Sequence, residues 1–254
     1  AQLQAMTSDQ ISALSPAQMA AISPTSIKGI DGSDLAVLST DRIAALTSLQ
    51  VPSLSAQQLQ ALTTDQIGAF GTNEIKVLSS TQVKSLTSDQ VAALSPAQIA
   101  AIAALSIRGI DGEDLSALST DQVAAFSTAQ TASLTSQQIQ AFTTDQITAF
   151  GTDDIKALNI AQIPGLTSSQ IAALTTDQIA ALETLDVSAF VASQIPGFTT
   201  AAISVLSTAQ ARALTSAQLG AMTTDQLTAF STAQIAALST ATVKGIGSAA
   251  ISAL

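Results

Sequence analysis

A large apolar residue recurs at every eighth position of the chain, from Met6 to Leu254. All thirty-two of these positions hold Leu, Ile, Phe or Met, and all seven Phe residues are among them. A fixed short period is typical of repeat proteins, in which each unit packs mainly on its neighbours. We therefore divide the chain into octads that end on this residue, such as 119–126, and number the positions of each octad from 1 to 8.

Octad positions 1 and 4 predict the start of a short helix in every octad. Position 1 is mostly Ser or Thr and position 4 is mostly Gln. This is a capping box, in which the hydroxyl accepts from the backbone amide of position 4 while the Gln side chain reaches back to the amide of position 1. Pro16, Pro24 and Pro96 occupy position 2, the first helical position, where proline is tolerated. Positions 5 and 8, such as Ile67 and Phe70, then share one helix face, and we expect them to form the core.

The charged residues support one helix per octad. All eighteen acidic residues occupy position 1, 3 or 4, and seven of the eight basic residues occupy position 6, with Arg42 as the exception. Acids near a helix start and bases near its end are favoured by the helix dipole. A single continuous helix does not fit the pattern, because an eight-residue period would rotate the apolar stripe steadily around its axis.

The predicted fold is therefore an all-α solenoid, a superhelix of short capped helices with one helix per octad, over residues 1–254. A β-solenoid is the alternative, because short fixed repeats also build that fold. The Ala, Leu and Gln content favours helices. Pro52, Pro164 and Pro196 occupy position 6, where proline removes a helical amide, so we expect each to shorten its helix to a turn and to adjust the curvature.

A longer period of 80 residues is superimposed on the octads. Segment 95–174 repeats segment 15–94, and segment 175–254 is a degenerate third copy. For example, Ser-Pro-Ala-Gln at 15–18 recurs at 95–98. Duplication of a ten-octad block explains this arrangement, and we expect the chain to be a segment of a longer repeat array.

The composition argues against several classes of function. A net charge of −10 opposes binding to nucleic acid and to anionic membrane surfaces. The apolar runs are far shorter than the roughly 20 residues that a membrane-spanning helix needs, so we expect no membrane insertion. The sequence has no His and no Cys, which excludes Ser–His and Cys–His nucleophiles and the usual zinc ligand sets. We therefore expect neither an enzyme nor a cofactor site.

Two acidic octads are the best candidates for a metal site. They contain Asp31 and Asp34 in the first block, and Asp111, Glu113 and Asp114 in the second. Oxygen-rich sequences of the Asp-Gly-x-Asp type can bind Ca²⁺. The aspartates also occupy octad positions 1 and 4, where Asp can replace the capping Ser and Gln, so capping is the favoured interpretation and Ca²⁺ binding the alternative.

The octad resembles a known repeat, as in the sequence Thr-Thr-Asp-Gln-Ile-Ala-Ala-Leu of residues 175–182. Arrays of Thr-Thr-x-Gln-Ile-x-Ala-Leu units are found in very large bacterial exoproteins that are commonly labelled as adhesion or haem-utilisation proteins. The resemblance covers essentially the whole chain. It implies a bacterial protein that is secreted or located at the cell surface, but it transfers no binding residues, and the chain lacks the His and Cys that ligate haem.

The predicted function is structural: an extracellular stalk, spacer or filament shaft of an adhesin-like protein. Its expected partners are neighbouring repeats or copies of itself joined end to end. Two alternatives stay open at this point. One is a superhelical binding module for a peptide or glycan, and the other is an ice-binding surface built from the regular Ser and Thr hydroxyls.

Overall fold

The computed structural model of the chain describes residues 6–247, and this part contains helices and short connections but no β-strand. The β-solenoid alternative is therefore wrong for the described residues. Each octad from 7–14 to 239–246 forms one short α-helix or one 3₁₀ segment. The 3₁₀ segments are Val51–Ser53, Ser106–Gly109, Ile163–Gly165 and Ala192–Gly197.

The α-helices of the described residues are four to six residues long. Their bounds are α1 Ser8–Ser12, α2 Pro16–Ala21, α3 Pro24–Ile27, α4 Gly32–Ala36, α5 Thr40–Ala44, α6 Ala56–Ala61, α7 Thr64–Gly68, α8 Thr72–Lys76, α9 Ser80–Lys84, α10 Ser88–Ala92, α11 Pro96–Ala101, α12 Gly112–Ala117, α13 Thr120–Ala124, α14 Thr128–Ser133, α15 Ser136–Ala141, α16 Thr144–Ala149, α17 Thr152–Lys156, α18 Ser168–Ala173, α19 Thr176–Ala181, α20 Thr184–Ala189, α21 Thr200–Ser204, α22 Thr208–Ala213, α23 Ser216–Gly220, α24 Thr224–Thr228, α25 Thr232–Ala237 and α26 Thr240–Val243.

The octad 63–70 illustrates the hydrogen bonds that form at the start and at the end of each short helix. Thr63 has extended backbone, and its Oγ1 accepts from the Gln66 amide at 3.2 Å while the Gln66 Oε1 accepts from the Thr63 amide at 2.9 Å. The amide of Ile67 donates to the Thr63 carbonyl at 3.0 Å, and the amide of Phe70 donates to the Ile67 carbonyl at 3.2 Å. The capping box predicted from sequence is therefore confirmed, and it recurs in most octads.

Proline acts in two ways that depend on its octad position. The prolines at position 2 occupy the first turn of α2, α3 and α11, as predicted. Pro52 and Pro164 at position 6 lie in 3₁₀ segments of three residues, so the predicted shortening is confirmed there. Pro196 lies in a 3₁₀ segment of six residues, Ala192–Gly197, so the predicted shortening is wrong for this octad. The fourth 3₁₀ segment, Ser106–Gly109, has no proline, and its octad begins at Ala103, which has no side-chain oxygen to cap a helix.

Positions 5 and 8 form the core of most described octads, although Val243 at position 5 is exposed. Ile67 is 1% exposed and Phe70 is 4% exposed, and the two small exceptions at position 5, Thr131 and Ala211, are equally buried. Burying one Ile and one Leu per octad contributes about 3–6 kcal/mol, whereas ordering the backbone costs roughly 1–2 kcal/mol per residue. A single octad is therefore unstable alone and depends on contacts with other octads.

The chain divides into two compact units, Ala1–Ser133 and Leu134–Leu254. Within each unit, the helices that pack closely belong to octads three apart, such as α4 with α6 in the first unit and α22 with α25 in the second. The boundary falls inside octad 127–134, away from the ends of the 80-residue blocks at 94 and 174. The extent of a single array over residues 1–254 stays a prediction.

Four glycines at position 7 lie against the backbone of the octad three earlier in the chain: Gly109, Gly165, Gly197 and Gly245. Gly165 lies against the backbone of Ser136, and Gly197 lies against the backbone of Ser168. A Cβ atom at either glycine would come well inside contact distance of the serine carbonyl oxygen. Gly165 and Gly197 follow position-6 prolines, whereas Gly109 and Gly245 follow basic residues, so the close approach does not depend on proline.

Candidate functional site

The position-4 glutamines make hydrogen bonds in two directions. Gln178 accepts from the Thr175 amide through Oε1 at 2.9 Å, as a capping box requires. Its Nε2 also donates to the carbonyls of Ile147 and Phe150, which lie 31 and 28 residues earlier, at 3.0 and 2.8 Å. The side chain is 2% exposed. One Gln therefore caps its own helix and also joins it, through two hydrogen bonds, to the octad that lies four octads earlier in the chain. We call this contact the position-4 bridge.

This bridge to two carbonyls recurs in both units. The other glutamines that donate to the carbonyls 28 and 31 residues earlier are Gln50, Gln58, Gln66, Gln82, Gln90, Gln98, Gln130, Gln170, Gln194, Gln210, Gln218, Gln226 and Gln234.

Three side chains other than Gln that donate hydrogen bonds at position 4 keep the contact with the carbonyl 28 residues earlier. Arg42 donates from Nε to the Leu14 carbonyl, 28 residues earlier, and from Nη1 to the Ser39 hydroxyl. The hydroxyls of Ser106 and Thr242 also donate to the carbonyl 28 residues earlier, at 2.8 and 3.2 Å. Arg42 was the one basic residue that did not fit the charge pattern, and the structure shows that it replaces a bridging Gln.

Five octads place an acid at position 4, where an ionised carboxylate accepts hydrogen bonds but cannot donate them. These acids are Asp34, Glu74, Asp114, Asp154 and Asp186.

Two of the five acids lie in the predicted Ca²⁺-binding octads. Asp34 accepts from the Ser8 hydroxyl, and Asp114 interacts with the Ser88 hydroxyl. Both pairs have the same spacing and are related by the 80-residue period, so the second block repeats this contact. Burial raises the pKa of Asp114, the Ser88 hydroxyl opposes this rise, and the carboxylates of Asp111 and Glu113 add to it.

The capping interpretation of these octads is only partly correct. Asp111 accepts from the Asp114 amide at 3.0 Å, as predicted for an N-cap residue. Asp31 forms no side-chain cap hydrogen bond, so the predicted capping role is wrong there. Glu113 lies in the first turn of α12. The described residues contain no group of three or more acidic side chains placed to hold a metal ion, and the Ca²⁺ alternative gains no support from the geometry.

Asp186 is the most buried acid at position 4, at 3% exposure. Its Oδ2 accepts from the Glu183 amide at 3.2 Å. Burial raises the pKa of Asp186, the hydrogen bond from the Glu183 amide opposes this rise, and the Glu183 carboxylate adds to it. In the sequence, nothing distinguishes Asp186 from the other acids in the first turn of a helix.

Two surface grooves in the second unit share one construction. One, of about 530 Å³, is lined by Lys156, residues 180–182 and Glu183. The other, of about 510 Å³, is lined by Arg212 and residues 236–238. In each groove, a basic residue at position 6 faces positions 6 to 8 of the octad three further along. Each groove therefore places one basic side chain beside two Ala residues and one Leu, and the groove at Lys156 also contains the Glu183 carboxylate.

The hydroxyls at position 1 are engaged in the helix caps, as in Thr63 and Thr175, where they accept from the position-4 amides. Those engaged hydroxyls are held by the helix starts and do not form a free array. None of the helices in residues 6–247 is long and apolar enough to cross a membrane.

Short capped helices, one per octad, make this an all-α repeat protein. A family model for the ALTTAQ repeat matches the chain at residues 68–104, 107–144, 120–152, 147–184, 179–216, 206–232 and 212–240. These matches cover more than half of the sequence, and the chain therefore belongs to the ALTTAQ repeat family. No curated protein matches the chain.

Proposed function

We propose that the chain is a structural solenoid that serves as the stalk, spacer or filament shaft of a secreted or surface-exposed bacterial protein. The observation that carries this proposal is the position-4 bridge. Because each bridging Gln links its octad to the octad four earlier, the same contacts can continue for as many octads as the array contains. Such an architecture grows in one direction without a new core for each added block.

Partners of this shaft are, in this proposal, further octads or other copies of the chain joined end to end. The buried residues at positions 5 and 8 and the polar residues at positions 1 and 4 already make structural contacts in the described octads. A role in spacing and support therefore accounts for these residues without a catalytic site.

The test is to lengthen the array by one block. A variant with a second copy of segment 95–174 inserted after residue 174 keeps the octad register. We expect the maximum dimension from small-angle X-ray scattering to increase while the cross-sectional radius stays constant. An increase in cross-section with little gain in length would contradict the shaft. Antibody labelling of intact cells of the source organism tests the surface location, and labelling only after lysis would contradict it.

A second candidate function is weak binding of an acidic glycan in the grooves beside Lys156 and Arg212. The repeated placement of one basic residue beside an Ala-Ala-Leu segment favours it, whereas the net charge of −10 and the nearby Glu183 oppose it. Titration with polygalacturonate by calorimetry tests it, with neutral dextran as the control. We expect binding that Arg212→Gln reduces, and equal heats for both polymers would exclude this candidate.

A further inference from the structure

We propose that Asp186 forms a pH-sensitive link between octads 151–158 and 183–190, weak when its carboxyl group is ionised and stronger when it is protonated. This inference is independent of the proposed shaft function, because it concerns one contact inside the second unit. It follows from the way the repeat places the same atoms around position 4 of successive octads.

The register of the repeat identifies what faces Asp186. The preceding octad donates from Gln178 to the carbonyls 31 and 28 residues earlier, and the following octad does the same from Gln194. For Asp186, the equivalent acceptors are the carbonyls of Ile155 and Leu158. An ionised carboxylate at this place presents lone pairs to carbonyl lone pairs, whereas a protonated carboxyl can donate one hydrogen bond.

An aspartic acid side chain is long enough for such a bridge. Ser106 and Thr242, whose side chains are shorter, reach the carbonyl 28 residues earlier at 2.8 and 3.2 Å. The bridge therefore does not need the length of Gln. What Asp186 lacks at neutral pH is the donor proton.

The surroundings of Asp186 also differ from those of Asp34 and Asp114. Those two acids are contacted by Ser8 and Ser88, 26 residues earlier, and the Ser88 hydroxyl lowers the pKa of Asp114. The residue 26 positions before Asp186 is Ile160, which has no hydroxyl. Asp186 therefore lacks the donor that lowers the pKa in the corresponding octad.

The charged residues on the octads around Asp186 do not take the place of the missing hydroxyl in lowering its pKa. Octad 183–190 contributes Glu183, octad 151–158 contributes Asp153, Asp154 and Lys156, and octad 207–214 contributes Arg212. Octads 159–166 and 215–222 carry no charged residue. Among the charged side chains, Glu183 contributes to the raised pKa of Asp186, and it favours the protonated form.

The sign of the pH effect follows from this raised pKa. The pKa of Asp186 lies above 3.8 in the folded chain, so between 3.8 and that raised value the folded state binds more protons than the unfolded state. Stability from this group is therefore fully present below pH 3.8 and is lost as the pH rises through the folded-state pKa. A tenfold difference in the acid dissociation constant between the folded and unfolded states changes the unfolding equilibrium constant by about the same factor.

The main test compares the full chain with Asp186→Gln between pH 4 and pH 8 at constant ionic strength. Gln restores a permanent donor, so we expect the variant to melt at a higher temperature than the original chain at pH 8, with the difference shrinking towards pH 4. The control is Asp177→Gln, which removes one exposed acid from the adjacent octad and should give a difference that does not vary with pH. A flat profile for Asp186→Gln, or a lower melting temperature at pH 8, would overturn the proposal.

A second variant and a local measurement address the mechanism. Ile160→Ser places a hydroxyl where Ser88 stands relative to Asp114, and we expect it to move the midpoint of the pH dependence to lower pH. Hydrogen exchange of the amides in octads 151–158 and 183–190, corrected for the intrinsic exchange rate, should show higher protection at pH 4 than at pH 7 in the original chain. An unchanged midpoint or equal protection would contradict the link at Asp186.

Discussion

Two consecutive octads of the second unit, 175–182 and 183–190, have the same backbone but differ at the positions that start the helix. In the first, Thr175 caps α19 and Gln178 bridges to two carbonyls of an earlier octad. In the second, Glu183 makes no side-chain cap bond and Asp186 accepts from the Glu183 amide. Both octads nevertheless bury the apolar residue at position 5 almost completely.

The difference between these octads separates two contributions to the fold. Both octads share apolar burial at positions 5 and 8 and the hydrogen bond from the position-1 amide to the position-4 side chain, and both form the helical turn. The polar residues decide how strongly the octad is joined to its own helix start and to an earlier octad. The variants below exchange these polar features one at a time.

Replacing the bridging Gln of the first octad with the acid of the second is expected to change the free energy of unfolding most. Gln178→Asp removes two donor bonds to buried carbonyls and buries a carboxylate in their place, so we expect a loss of about 3 kcal/mol in the free energy of unfolding at pH 7. The loss should be smaller at pH 4, where the carboxyl is protonated. Urea denaturation at both pH values measures it.

The control for this change is Thr176→Asp, which adds the same charge at the exposed neighbouring position 2. It lies in the first helical turn and should change stability by less than about 0.5 kcal/mol. If both variants lose the same free energy of unfolding, the added charge alone would explain the loss, and the position-4 bridge would have no measurable effect on stability.

Backbone proximity is the other contact between octads, and it should give the next largest effect. Gly197→Ala forces a Cβ atom against the Ser168 backbone, and we expect a loss of about 1–3 kcal/mol from overpacking. The control is Gly68→Ala, because a Cβ there meets nothing within 4 Å, and this helical position should gain about 0.5–1 kcal/mol. Similar thermal shifts for the two variants would show that octads three apart can separate at no cost.

Exchanging the helix caps should have the smallest effect. Thr175→Ala removes a hydroxyl that accepts from the Gln178 amide at 3.2 Å and should cost about 1 kcal/mol. Glu183→Thr supplies the missing hydroxyl in the second octad and removes a charge beside Asp186, so we expect a gain of about 0.5–1 kcal/mol. Chemical denaturation measures the free energy of unfolding of both variants. A lower free energy of unfolding for Glu183→Thr than for the original chain would show that this octad does not need a hydroxyl cap.

Much of the local structure was predictable because its interactions lie within a few residues. The capping box, the proline in the first turn and the shortening at Pro52 and Pro164 follow from octad position, whereas the segment around Pro196 keeps six residues. Asp31 was the local error, because its side chain makes no cap bond although it occupies position 1. Membership in a repeat family and the all-α class were likewise accessible from the period.

The candidate site was predictable only in part. The sequence selected Asp34 and Asp114 for their density of oxygen atoms, but the structure places a serine from another octad beside each of them. Asp186 was missed because its unusual feature is the residue 26 positions earlier, Ile160. A separation of 26 residues becomes informative only when the packing of the octads against one another is known.

The sequence by itself determined that each octad forms one short helical segment and, in most octads, where the helix begins, since hydrogen bonds between residues three or four apart and the octad period suffice for that. The tertiary structure decided which octads pack together, and therefore that the amide group of Gln178 meets the carbonyls of Ile147 and Phe150. It also decided that Asp186 is buried without a hydroxyl partner from a neighbouring octad. Burial and partner identity depend on how the octads pack around one another, which no eight-residue pattern encodes directly.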